Sequence, residues 1–310
     1  MPERGATGKA VSIAIAVVLV ISLISLGISI LGYTRAPEKD IRVLEASNIT
    51  RQPEGPVNTG TSNGYIITFE NGAKFYFAGD TALFGDMRWV VGDYYNPDVA
   101  FVPIGNDYTM DPVDAAYATT WINPRYVIPY HYQTFQFLTQ DPAVFVNEVT
   151  RHRQNNQTRA EVVLLEYGEE TLLDGVKVWW LGHGTFLFES PTGTRILLDP
   201  WLKPNPNTPA QFRNLSVFGD IDIILITHGH LDHATLDELK ELERLYNPVM
   251  IVQWELGIYL QNQGITGPVV LVNKGGKITK EVLGLHGIDA DMPDAMKIML
   301  VSADHSSSPP

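Results

Sequence analysis

The sequence predicts an α/β protein in which two β-sheets stack with helices outside them, preceded by one membrane-spanning helix. Three observations carry this. Residues 10 to 33 form an uncharged apolar run, and a helix needs ~20 such residues to cross a bilayer core. From residue 64 onward, short runs rich in β-branched and aromatic residues follow one another between turn residues. Only a few capped helices lie among them, and many strands with few helices favour stacked sheets with outer helices.

Taken in chain order, "AVSIAIAVVLVISLISLGISILGY" (10 to 33) is read as a single-pass membrane anchor. A cleaved signal peptide competes with this, but its apolar region spans ~7 to 15 residues and ends at a small-x-small site. Here "GYTRAPEKD" follows instead. Arg4 and Lys9 precede the run, while Arg35, Lys39 and Arg42 follow it. The positive-inside rule therefore does not fix the orientation, and an extracytoplasmic domain is only a mild preference. Residues 34 to 63 read as a polar linker, and 64 to 310 as the folded domain. Strands are expected at 64–69, 73–78, 98–104, 125–130, 161–166, 176–181, 185–189, 195–199, 221–227, 249–253, 268–272 and 297–302. "FENGAK" supplies an Asn-Gly hairpin turn between the first two. Asp111-Pro112 and Asp141-Pro142 each place a capping carboxylate before a proline suited to a first helical turn, and Thr235 with Glu238 forms a capping box.

Composition excludes several functions. At 45% hydrophobic and 18% charged residues, the 310-residue chain can bury a sizeable core. Its 35 acidic and 22 basic residues give a net charge of -13, which repels phosphate backbones and argues against nucleic acid as a partner. There is no cysteine, so disulfides and thiolate ligands are excluded. Any metal must rest on His, Asp, Glu and water.

One stretch fits that requirement. "THGHLDH" (227 to 233) ends an apolar strand, so His228 and His230, two apart, leave on the same face, and Asp232 and His233 sit on the turn leading to the helix capped by Thr235. Neutral imidazoles and a carboxylate suit a borderline divalent ion such as zinc. A single histidine is more often a surface or core residue than a ligand, but a cluster after a buried strand is not explained that way.

"THGHLDH", with "WLGHGTFLFES" and "ILLDPWL", resembles the metallo-β-lactamase superfamily, in its branch of small metal-dependent hydrolases related to L-ascorbate-6-phosphate lactonase. The likeness covers residues 64 to 305. It implies an αββα sandwich of two mixed sheets with outer helices. It also implies one metal on His228, His230 and His305, the last in "VSADHSSS", and a second on Asp232, His233 and His131, with Asp80 of "FYFAGDT" bridging. His183 in "LGHGT" then lies close to the site, beside the ligands or the substrate, and Asp199 in "LLDPW" is a weaker candidate for an outer partner. Without the resemblance, Asp80 would read as a turn-capping residue and His131 as a packed one beside Tyr130 and Tyr132.

The order of these segments departs from the family. The "GDT" aspartate and the last histidine, after "PRYVIPY", normally follow the "HSS" histidine. Here they precede it, as in a circular permutation: 64–168 resembles the family's C-terminal half and 176–306 its N-terminal half, joined across "LLEYGEETLLDGVKVWW". Two chains exchanging halves in a homodimer is the alternative.

The chemistry implied is hydrolysis of an ester, lactone or phosphodiester. Two divalent ions, zinc or manganese, would lower the pKa of a bridging water, with Asp232, Asp80 and His183 as the catalytic groups. A relic domain that binds metal without turnover and a diiron oxidoreductase are the rival readings. The latter typically carries a carboxylate where this chain has His230. The substrate is expected to be a small molecule or lipid-like, since the linker keeps the site near the bilayer, although no apolar groove can be read from the sequence. His152 is expected on a solvated helix face and His286 in a turn, while "NKGGK" (273 to 277) lacks phosphate-loop spacing and reads as a turn between strands.

Overall fold

The computed structural model describes residues 59–138 and 140–309. The tail, the span expected at 10 to 33 and most of the linker lie outside the described residues, among which no helix is long and apolar enough to cross a membrane. The end of the expected linker is already part of the fold, because Thr59, Ser62 and Asn63 are buried and the first strand starts at Asn63.

Along the chain the strands are β1 (Asn63–Thr68), β2 (Lys74–Phe77), β3 (Val99–Pro103), β4 (Tyr126–Tyr130), β5 (Glu161–Val162), β6 (Glu170–Leu173) and β7 (Val176–Gly182). They continue with β8 (Thr185–Glu189), β9 (Arg195–Leu198), β10 (Ile223–Ile226), β11 (Val249–Gln253), β12 (Val269–Val272), β13 (Lys277–Ile278) and β14 (Lys297–Ser302). The α-helices are α1 (Pro112–Ile122), α2 (Pro142–Gln154), α3 (Leu236–Tyr246), α4 (Trp254–Asn262) and α5 (Lys280–Leu285).

Two seven-stranded sheets result, one in the order β13-β14-β1-β2-β3-β4-β5 and the other β12-β11-β10-β9-β8-β7-β6. Each is mixed. β2 to β5 run parallel, as do β9 to β12, while hairpin neighbours such as β1–β2 and β7–β8 are antiparallel. Between the sheets lies an aromatic core: Phe77, Phe101 and Tyr130 meet Phe186 at ring-centroid distances of 5.6, 5.0 and 5.8 Å, and Phe75 meets Phe188 at 5.8 Å. The two-residue period of a strand explains why β10 is apolar throughout. Ile223 and Leu225 face this core, whereas Ile224 and Ile226 face a second cluster with Leu239 and Leu242 of α3 and Leu256 and Leu260 of α4. Helices α1 and α2 pack on the other sheet, against β3 and β5.

Local expectations meet the structure unevenly. Asp111 accepts from Val113 N and Asp114 N, and Asp141 from Ala143 N, as N-caps do. The capping box does not form. Thr235 makes no side-chain cap bond, and Glu238, buried, turns instead to Leu202 N and Lys203 N. His152 is buried rather than solvated. It shares the inward stripe of α2 with Phe145 and Val149, and its Nδ1 lies 2.6 Å from Gln157 Oε1. The segment expected to bridge the two halves is no slack loop but β6 and a tight hairpin to β7. The hairpin turns at Asp174 and Gly175, with φ of 46° and 84°, the Asp-Gly preference of a type I′ turn.

Candidate metal centre

Strand ends build the site. Asp80 follows β2, His131 follows β4, the 227–233 loop follows β10, His305 follows β14, and His183 occupies the β7–β8 turn. Because β2 and β4 run parallel in one sheet and β10 lies in the other, their carboxyl ends open onto a common edge, where open α/β sheets place ligands. Asn63 locks the two sheets together there, donating from both its backbone N (3.0 Å) and its Nδ2 (2.8 Å) to Thr227 O.

Every expected site residue converges at this edge. His230 Nδ1 is 2.9 Å from His228 Nε2 and 3.2 Å from His305 Nε2. Asp80 Oδ2 lies 3.0 Å from His131 Nε2, 3.2 Å from His233 Nε2, 3.9 Å from His228 Nε2 and 4.0 Å from His305 Nε2. Its carboxylate thus stands between the histidine triplet and a second group of His131, His183, Asp232 and His233, all close enough to share an ion. Asp80, His131, His183, His228 and His233 are buried, whereas His230, Asp232 and His305 are half-buried and face a cavity of about 450 Å³.

Outer partners fix the rings. Thr227 Oγ1 donates to Asp199 Oδ2 (2.7 Å), so its oxygen can only accept from His228 Nδ1 at 2.9 Å, and His228 Nε2 is left bare toward the site. Asp199 Oδ2 also accepts from His233 Nδ1 at 2.9 Å, which leaves His233 Nε2 facing Asp80. Since a carboxylate only accepts, His183 Nε2 donates to Asp232 Oδ2 at 3.0 Å, and Thr134 Oγ1 sits 3.0 Å from His183 Nδ1.

Charge follows burial. Desolvation pushes His183 down to about 3 and His230 to about 4, and lowers His228 and His305 as well, so these imidazoles are neutral at pH 7. Burial would raise Asp80, but the charges of His131 and His233 and their hydrogen bonds hold its carboxyl well below the usual range. Asp232 is likewise lowered, burial being outweighed by the hydrogen bond from His183. His233 goes the other way: burial lowers it, yet Asp80 and Asp199 on either side raise it well above its ordinary value.

Two separate stretches of the chain match known proteins. A family model described as a beta-lactamase superfamily domain matches residues 177–298, and a second of the same description matches residues 32–132. The chain belongs to the metallo-β-lactamase superfamily. It is similar to a metal-dependent hydrolase of Methanobrevibacter smithii, 44% identical over 37% of this chain and 47% of that protein. It is also similar to one of Deinococcus radiodurans, 42% identical over 48% of this chain and 61% of that protein. The chain spans about half the length of the curated relatives it matches. A solved metallo hydrolase of Ignicoccus hospitalis is 38% identical over 31% of this chain and 40% of that one, with a TM-score of 0.27.

The residues of this superfamily member fit a divalent metal. Buried Asp80 Oδ1 has no hydrogen-bond partner, which leaves its lone pairs free inside a cluster whose His and Asp donors are those zinc takes. A Cβ at Gly105 would come within 2.4 Å of His131 Nδ1 and 2.7 Å of its carbonyl oxygen, so that glycine is what lets His131 reach the cluster. Sequence reasoning missed Gly105 along with Thr134, Thr227 and Ser307, whose Oγ accepts from Gly229 N at 3.0 Å. Only "HSSS" and the Thr before "HGH" hinted at any of these.

Proposed function

We propose that the chain is a metal-dependent hydrolase in which His228, His230 and His305 hold one divalent ion and Asp232, His233 and His131 another, with Asp80 between them. Zinc or manganese suits this nitrogen and oxygen donor set. The observation that carries the reading is the place of Asp80 Oδ2, within 4.0 Å of four imidazole nitrogens drawn from both groups. Ions bound there would supply Lewis acidity, lowering the pKa of water toward neutrality and stabilising charge on a carbonyl or phosphoryl oxygen.

The chain's own residues position and exchange protons. His183, neutral and buried, holds Asp232 by one hydrogen bond, and Asp232 faces the cavity with its carboxylate ionised, placed to accept a hydrogen bond from water and steer its proton. Hydrolysis of an ester, lactone or phosphodiester is the reaction class. The water oxygen bonds to carbon or phosphorus, the bond to the leaving oxygen breaks, and that oxygen takes up the proton.

The proposal extends to the rest of the chain. Residues 10 to 33 anchor the domain to a membrane, as their uncharged apolar run suggests. The segments are reordered relative to the family, and the direct pairing of β14 with β1 supports this, since it joins the two ends of the described chain in one sheet. Turnover of bis(p-nitrophenyl) phosphate and of a simple lactone by the full chain, loaded with zinc or manganese and then chelated, tests the central part. Activity on at least one, lost on chelation and in His230→Ala, is expected. Turnover indifferent to chelation would contradict it, and metal binding without turnover would indicate a relic domain.

A further inference from the structure

The cavity beside the metal centre has two unlike walls. One consists of the ligand side chains Asp80, His131, His230, Asp232 and His305. The other is formed by Tyr108, Phe135, Phe137, Leu138, Trp201 and Leu231. Leu138 and Trp201 are buried and make its floor, while Tyr108, Phe137 and Leu231 stand 57%, 50% and 63% exposed at its rim. The wall is packed rather than incidental. Phe135 stacks on Phe137 at 5.3 Å with an interplanar angle of 9°, Trp201 lies 5.6 Å from Phe135, and Tyr108 meets Phe137 edge-on at 5.8 Å. Phe135 also leans on His183 at 5.5 Å, which ties the wall to the group that orients Asp232.

What the wall lacks is equally informative. Among the described residues, no Lys or Arg lines the cavity, and outside the metal ligands its lining side chains carry two polar groups, the Tyr108 hydroxyl and the Trp201 indole N–H. A sugar body would leave its hydroxyls unpaired against these rings, and a second phosphate or carboxylate on the substrate would meet no cation there in a chain of net charge -13.

We infer that the cavity is a substrate subsite for an apolar, uncharged alkyl or aryl body, whose hydrolysable group lies against the metal ligands while the body lies on the Phe135–Phe137–Trp201 wall. This rests on the hydrolase reading and sharpens its substrate class. Large exposed apolar side chains grouped at one cavity mouth mark binding surface rather than ordinary exterior, and a mainly apolar pocket with convergent polar groups at one end is the usual form of a small-molecule site. The apolar body could come from a free compound or from a lipid in a bilayer, since the wall's chemistry suits both.

The test uses the full metal-loaded chain and p-nitrophenyl esters. From acetate to butyrate, kcat/KM should rise about tenfold, the effect of burying two methylenes, and the succinate monoester, which carries a carboxylate at the far end, should be a poor substrate. Phe137→Ser and Leu231→Ser, at exposed positions that need not disturb the core, should flatten the chain-length ratio. They should also weaken binding of the uncharged fluorophore N-phenyl-1-naphthylamine, a readout independent of turnover. Comparing the octanoate ester as monomer and in phosphatidylcholine vesicles assigns the body to a free compound or to a bilayer lipid, according to which is cleaved faster. If neither these esters nor bis(p-nitrophenyl) phosphate nor the lactone is cleaved, but fluorophore binding is lost in both variants, the hydrolase reading falls and the apolar subsite stands. Use of the succinate monoester as readily as the butyrate overturns the inference, and so do variants that change neither the chain-length ratio nor fluorophore affinity.

Discussion

Asp199 shows how much of the centre depends on residues that would never touch an ion. One oxygen of its fully buried carboxylate accepts from Thr227 N and the other from Thr227 Oγ1 and His233 Nδ1. Asp199→Asn keeps the shape but puts an amide donor where an acceptor is needed, opposing the N–H of His233 and reversing its tautomer. Loss of such an outer partner typically weakens metal affinity by about 10- to 100-fold, and titration of the apo chain with zinc should find that loss with the fold intact by circular dichroism. Unchanged affinity would show that Asp199 does not orient His233. The site was legible in the sequence to different depths. Three histidines and an aspartate within "HGHLDH" announce a metal by density alone, whereas Asp80 and His131 stand singly, far from each other, and gain meaning only through the family pattern. Thr134 gave no signal and Thr227 only its place before "HGH", because a hydroxyl acquires its partner only when distant strands meet.

Among the elements, the outer row on β7, β8 and β9 offers a pH test. Glu189 on β8 pairs across the sheet with Lys177 on β7 and Arg195 on β9, at 2.7 Å from Lys177 Nζ and 2.6 Å from Arg195 Nη2. The hydrogen bond from Lys177, assisted by Arg195, holds its carboxyl below the ordinary 4.5. A carboxyl depressed on folding contributes stability that is present above its unfolded pKa and lost as pH falls through the folded one. With the Lys177 and Arg195 side chains 42% and 31% exposed, water screens the pairs and the contribution is small. Glu189→Gln should therefore lower the melting temperature slightly at pH 7, and the gap should close as the pH drops below 4.5. A gap that persists or widens on acidification would contradict this. Strand positions were readable because β-branched and aromatic runs have sharp borders. β6 was not, since "ETLL" is a short edge strand with half its residues in water, and the capping box failed because tertiary demand at Leu202 and Lys203 claimed Glu238.

For the molecule as a whole, the account's claim is that one chain closes one metal centre from segments at its two ends. Asp80 and His131 come from the first half, the remaining ligands from the second, and β14 beside β1 holds the halves in one sheet. The proposed reordering rests on motifs that stand in another order than the family's; pairing within the chain is a property of the fold, which strand spacing alone does not determine. The most direct test is metal content measured on the monomeric fraction of the full chain, of Asp80→Ala, of His305→Ala, and of the two variants unfolded and refolded together. The account predicts about two divalent ions per parent monomer, as in two-metal hydrolytic sites, fewer in each variant, and no recovery in the mixture. A parent monomer that binds no divalent ion, variants that bind as much as the parent, or a mixture whose dimeric fraction binds more metal than either variant alone would contradict it.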